Sequence, residues 1–213
     1  MSTRRSQALL LASLLLCVFS AFAQKPTDKQ TVYDFSLVDQ SGKVVPLSNY
    51  KGKVLLIVNL ASQSTYSTQI AALNNLQKTY GAKGLVVLGI PSADFGGEEL
   101  KDPVALHKYY ADTAHADFPV FASATLKGIN AIPLYQFLCD PKQSVPGGDI
   151  HWNYTKFLID RTGKPQARYE VDVDPDDIDF RVAIESALAG KFNKESSSRS
   201  LASGSKRNHP RNS

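Results

Sequence analysis

Two apolar runs, residues 53–60 (KVLLIVNL) and 85–90 (LVVLGI), bracket a segment with a helical repeat, and no other feature restricts the fold so tightly. Neither run alternates. A strand of unbroken apolar residues has both faces covered, as inside a sheet with helices on each side. Between the runs, Ile70, Leu73, Leu76 and Tyr80 recur near helical spacing, and Gly81 and Gly84 supply stop signals. Strand, helix, strand in that order makes a βαβ unit with parallel strands. Further on, 154–160 and 166–173 flank Arg161-Thr162-Gly163-Lys164, the pattern of an antiparallel hairpin. Residues 118–121 read as a short strand and 133–139 (PLYQFLC) as a short helix. Asp102-Pro103 and Asp174-Pro175 each set an N-cap Asp before a Pro at the first helical position, which predicts helices running to about 114 and to Gly190. The last of these carries Phe180, Ile184, Ala187 and Leu188 on its apolar face. The sum is an α/β fold with a mixed sheet flanked by helices.

Charge separates the two ends from the middle. The net charge is +4, but residues 24–193 hold 17 basic and 19 acidic residues, so the positive excess lies outside them. Such a middle gives no basis for a nucleic-acid-binding domain. Residues 1–23 read as a secretory signal peptide: Arg4 and Arg5, a short apolar stretch, then Ala21-Phe22-Ala23 as the cleavage site. The expectation is export to the periplasm or the outside. Cys17 follows Leu16, where a lipid-attachment motif requires a small residue, so lipidation is disfavoured. No apolar run reaches the ~20 residues of a membrane span. Residues 194–213 hold seven serines and, as large apolar residues go, only Leu201, so a disordered Ser/basic tail is expected. Removal of the signal leaves Cys139 as the one cysteine, without an internal disulfide partner. A free cysteine in that setting reads as a small core residue.

Four blocks between 24 and 193 resemble the glutathione peroxidases, thioredoxin-fold enzymes that use selenocysteine or cysteine. Tyr33-Asp34-Phe35 resembles the family's opening strand. Residues 52–59 (GKVLLIVN) resemble its G-K-V-x-L-I-V-N block. Residues 84–91, followed by Phe95-Gly96-Gly97, resemble G-L-x-V-L-G-F-P…F-G-x-Q-E. Residues 152–158 (WNYTKFL) resemble W-N-F-x-K-F-L. The resemblance implies a thioredoxin-like domain over 24–193. It implies hydroperoxides as substrates, glutathione or a thioredoxin-like protein as reductant, a role in oxidative stress, and no cofactor or metal. The short 139–150 segment resembles that of monomeric members.

The family's catalytic tetrad is Cys or selenocysteine, Gln, Trp and Asn. Matched block by block, it falls on Ser64, Asp94, Trp152 and Asn153. Trp152 and Asn153 agree with the family; Ser64 and Asp94 do not. Thr65 stands where Gly is usual, and Ser92 where Cys is common. A thiol can ionise and form a reducible sulfenic acid, whereas a serine hydroxyl has no comparable redox ladder. Attack on a peroxide by Ser64 oxygen would only make another O–O bond. Gln can donate an amide N–H to a thiolate, whereas an Asp carboxylate accepts and repels. The reading that follows is a family member without peroxidase turnover, with peroxidase activity as the alternative. A hydrolase using Ser64, Asp94 and His151 is disfavoured: His151 adjoins Trp152 in extended chain, where neighbours face opposite ways, and Ser64 lacks a G-x-S-x-G elbow. His107 and His115 have no evident ligand partner for a metal.

The signal-peptide reading sets the mass of the exported protein. Intact-mass spectrometry of secreted material is expected to give a chain starting at Gln24; a lipidated start at Cys17 or a retained Met1 would refute it.

Overall fold

A computed structural model describes residues 30–142, 144 and 147–192; the expected signal peptide and basic tail lie outside them. The framework is a four-stranded sheet in the order β4-β3-β5-β6: β3 (Val54–Leu60), β4 (Leu85–Pro91), β5 (Lys156–Ile159) and β6 (Pro165–Tyr169). β3 pairs in parallel with β4 and antiparallel with β5, and β5 antiparallel with β6. A separate hairpin, β1 (Ser36–Val38) with β2 (Val44–Pro46), precedes them. The helices are α1 (Gln69–Tyr80), α2 (Pro103–Lys108), α3 (Pro133–Cys139) and α4 (Ile178–Leu188). None of the described helices is long and apolar enough to cross a membrane.

All seven residues of β3 are buried. Successive side chains leave a strand on opposite faces, so the unbroken apolar run fills two cores at once. Val54, Leu56, Val58 and Leu60 pack with Ile70, Leu73 and Leu76 of α1 and Phe180 and Ile184 of α4. Leu55 and Ile57 pack with Leu134, Tyr135 and Leu138 of α3 and Leu37 of the hairpin. The expected mixed sheet between helices is therefore present.

Four local expectations are corrected. The closing helix starts at Ile178 behind Asp177, not at Pro175. Asp174 instead accepts from the Asp176 N–H at 2.8 Å and closes a turn, the common alternative use of an Asp-Pro pair. Residues 118–121 form no strand. They make only isolated bridges: Val120 lies parallel to Gly89 of β4, where the Gly89 N–H donates to Pro119 O and the Phe121 N–H to Gly89 O, each at 2.9 Å, and Phe121 bridges antiparallel to Asp39. Val32–Asp34 is a 3-10 turn held by the Asp34 carboxylate on the Thr31 N–H at 2.7 Å, and the first strand begins at Ser36. Where the sequence suggests one long helix from 103, α2 passes into a π-helical turn, Tyr109–Thr113.

A lysine is buried in this framework, and among the described residues no salt bridge pairs its charge. Lys156 on β5 is fully buried, and its Nζ donates to the Tyr154 carbonyl at 2.9 Å and lies 3.5 Å from that of Glu170. Burial pushes its pKa down to about 7, against the pull of Asp174, Asp172 and Glu170. The unfolded chain then binds one more proton than the folded chain between about pH 7 and the ordinary lysine value near 10.4. This contribution to stability is fully present above pH ~10.4 and is lost as pH falls toward 7. Urea unfolding at a series of pH values is expected to show stability rising with pH across that window, by up to about 1.4 kcal/mol per unit from this group. Lys156→Met should flatten that rise; an unchanged slope would show that the lysine is not the source.

Candidate functional site

Topology gathers the tetrad positions at one end of the sheet. The chain leaves the C-terminal end of β3 at Leu60 and reaches Ser64 four residues later. It leaves the parallel strand β4 at Pro91 and reaches Asp94. β5 runs antiparallel to β3, so the residues before it, 152–155, arrive at this same end. Hydrogen bonds join the three segments. Ser92 N–H donates to Leu60 O at 3.0 Å, Gln63 N–H to Glu98 O at 2.8 Å, and Tyr154 N–H to Asn59 O at 2.7 Å.

Ser64 is 3% exposed and stands at the N-cap of the 3-10 turn Thr65–Thr68 that leads into α1. Its Oγ accepts from the Tyr66 N–H at 3.4 Å, so the hydroxyl has a capping role. Asp94 is exposed, and its Oδ2 accepts from the backbone N–H groups of Leu126 at 2.5 Å and Lys127 at 3.1 Å. The carboxylate thus orders the 125–128 loop. Trp152 is 38% exposed; Asn153, next to it, is fully buried. The sharp change of direction comes at Tyr154, whose φ of 59° is left-handed backbone, uncommon for a bulky residue. Tyr154 is held there by its own hydroxyl, which donates to Ala61 O at 3.2 Å. Asn153 Nδ2 donates to Phe95 O at 3.0 Å and to Glu98 Oε2 at 2.9 Å. The Trp152 ring packs on Gly96, where a Cβ would lie 3.2 Å from Cη2. Gly96 has a φ of +72°, so both the turn and the ring require glycine here.

Beneath these residues lies a buried carboxylate that the sequence reading passes over. Glu99 Oε1 accepts from the Ser62 N–H at 3.1 Å, from the Leu100 N–H at 2.8 Å and from the Ser62 hydroxyl. Its Oε2 accepts from the Tyr110 hydroxyl at 2.7 Å. Burial, then the Glu99 charge, pushes the Tyr110 phenol well above its usual range, so it stays a donor. The available signal was Glu98-Glu99 directly after Phe95-Gly96-Gly97, where the resembled block has Gln-Glu. Glu98 now holds the Asn153 amide, and Glu99 ties the loop after β3 to the loop after β4.

The remaining candidates lie apart from this end. His151 is 74% exposed at its side chain and faces Glu170 at 3.5 Å, so it does not join Ser64 and Asp94. Cys139 ends α3, half-buried, with its thiol pKa pushed up chiefly by burial, which disfavours the thiolate. No group of three or more metal-binding side chains occurs among the described residues.

Comparison with known proteins agrees with this architecture. The family model described as glutathione peroxidase matches residues 32–139. A Solanum lycopersicum protein named "Probable phospholipid hydroperoxide glutathione peroxidase" is 39% identical over 154 residues, covering 72% of this chain and 91% of its own. A Lactococcus lactis protein named "Glutathione peroxidase" is 35% identical over 150 residues, covering 70% and 96%. Among solved structures, T. cruzi GPX1 superposes with a TM-score of 0.59 at 30% identity, covering 75% of this chain and 97% of its own.

Four hydrogen bonds onto one buried carboxylate make Glu99 a stability determinant. Glu99→Ala is expected to cost about 3–5 kcal/mol in urea unfolding, because Ser62, Leu100 and Tyr110 lose their acceptor. Glu99→Gln should cost less than half of that, since its amide oxygen still accepts and its N–H can meet the Tyr110 oxygen.

Proposed function

The chain belongs to the glutathione peroxidase family, and from that premise we propose that it is an exported, monomeric member that keeps the family's framework without peroxide turnover, acting by binding. The observation that carries this reading is Ser64 itself: a buried hydroxyl engaged in capping the turn before α1, at the position where the family's chemistry needs sulfur or selenium. Peroxide reduction requires a nucleophile that attacks O–O, releases water or an alcohol, and leaves an oxidised atom that two thiols can reduce. An alkyl hydroxyl provides no such oxidised state. The surroundings agree. Asp94 offers an acceptor where Gln would offer a donor, and both N–H groups of Asn153 are already taken by Phe95 O and Glu98.

The names of the relatives support a second reading, reduction of hydroperoxides with glutathione or a thioredoxin-like reductant. A single assay separates the two. Peroxide consumption is measured for the natural chain, Ser64→Cys, Asp94→Gln and the double variant, with each reductant. The natural chain and Asp94→Gln are expected to be inactive, and Ser64→Cys to recover little. A carboxylate beside a thiolate raises its pKa by about one unit or more. Asp94→Gln should therefore increase activity only in the Ser64→Cys background, a coupling that general folding effects cannot mimic. Turnover by the natural chain refutes the binding reading, and its loss in Cys139→Ser would move the reactive thiol to Cys139.

A further inference from the structure

The loop between β4 and α2 borders a recess of about 270 Å³ that none of Ser64, Asp94, Trp152 and Asn153 lines. Its apolar surface comes from Leu106, 3% exposed on α2, from the half-buried Leu100 and Ala122, and from Pro103. Gln40, Lys101 and Ser123 complete the lining. The walls are tied to the fold. Leu100 N–H donates to Glu99 Oε1 at 2.8 Å, Ala122 N–H donates to Val38 O at 2.8 Å, and the Gln40 carbonyl meets His107 Nδ1. A recess held in this way is preformed, as small-molecule sites usually are.

The polar part of the lining favours one sign of charge. Among the described residues that line the recess, Lys101 alone is charged, and it is exposed. It has no ion pair among the described residues. The carboxylates nearest to it in sequence are engaged elsewhere. Glu98 accepts from Asn153 at 2.9 Å, and Glu99 accepts from Ser62, Leu100 and Tyr110. Asp102 accepts from the Ala105 N–H at 2.7 Å and so caps α2. Ser123 adds a hydroxyl that can donate. An ammonium and a hydroxyl beside an apolar recess fit an anion with an apolar body, whereas Lys101 repels a cation.

We infer that this recess binds a short-chain aliphatic monocarboxylate, with its chain against Leu106 and its carboxylate at Lys101 and Ser123. The inference goes beyond the reading of the Ser64 end and is independent of it, since no tetrad position lines the recess. The full chain, labelled with ¹⁵N, is titrated at fixed ionic strength with hexanoate, hexylammonium and acetate, and amide chemical shifts are followed. Hexanoate is expected to shift the amides of Leu100, Lys101, Leu106, Ala122 and Ser123 saturably, with a dissociation constant on the order of 1 mM or below. Acetate has no chain to bury and hexylammonium meets the Lys101 charge, so each should bind at least about fivefold more weakly. Lys101→Met should weaken hexanoate binding roughly two- to fivefold, the scale of an exposed charge contact, and narrow its lead over hexylammonium. Ala122→Leu, which fills the recess, should abolish the shifts. Thermal unfolding of both variants checks that the fold persists. No saturable shift of these amides in the natural chain overturns the inference, whatever the variants do. Equal affinity for hexanoate and hexylammonium, or shifts confined to other residues, overturns it too. Unchanged hexanoate affinity in folded Lys101→Met does so as well.

Discussion

Every residue of β3 is buried, and a strand with no exposed face has to be paired at both edges and covered on both sides. That requirement organises the molecule. β4 and β5 satisfy the two edges, and α1 with α4 and α3 with the β1–β2 hairpin cover the two faces. Because β4 is parallel and β5 antiparallel to β3, three chain segments meet at one end of the sheet. The place of the site follows from the pairing of one strand, before any side chain at the site is considered.

Bringing three loops to the end of a fully buried strand leaves backbone and side-chain polar groups out of reach of water, and such groups need internal partners. Asn59, Ser62, Glu99, Tyr110 and Tyr154 supply most of them. Glu99 alone serves donors from two loops and from the π-helical turn after α2. Lys156 serves the opposite need, giving donors to two carbonyls at the edge of β5. These polar contacts fix the loops closely enough that Trp152 can remain partly outside while Asn153 and Tyr154, the latter in left-handed backbone, are buried.

The βαβ unit, the hairpin and the positions of Ser64, Asp94, Trp152 and Asn153 could be read from the sequence because each rests on periodicity, turn chemistry or a contiguous block. What could not be read depends on choices between local options of similar energy. An Asp-Pro pair starts α2 at Asp102, where the Asp side chain reaches the Ala105 N–H, but makes a turn at Asp174, where it reaches the Asp176 N–H. Nothing in the dipeptide distinguishes the two. Glu98 and Glu99 are adjacent and identical, yet one is half-exposed on Asn153 and the other buried under Ser62. The difference is one of direction along a turn, which sequence spacing does not carry.

The same limit applies to the two tetrad positions where the residue type matches the family. Trp152 and Asn153 are identical in kind, but a role belongs to a free group, not to a residue name. Asn153 has two N–H donors, and Glu98 occupies one of them at 2.9 Å while Phe95 O occupies the other at 3.0 Å. A Gln at position 98 could offer either its oxygen or its N–H to that amide, whereas a carboxylate can only accept. The carboxylate therefore locks Asn153 with its oxygen to spare and no hydrogen to give. Aspartate at 94 and glutamate at 98 each put a side chain that only accepts where the resembled blocks have an amide that can donate. These two changes have one electrostatic sense, opposite to the one a thiolate nucleophile requires.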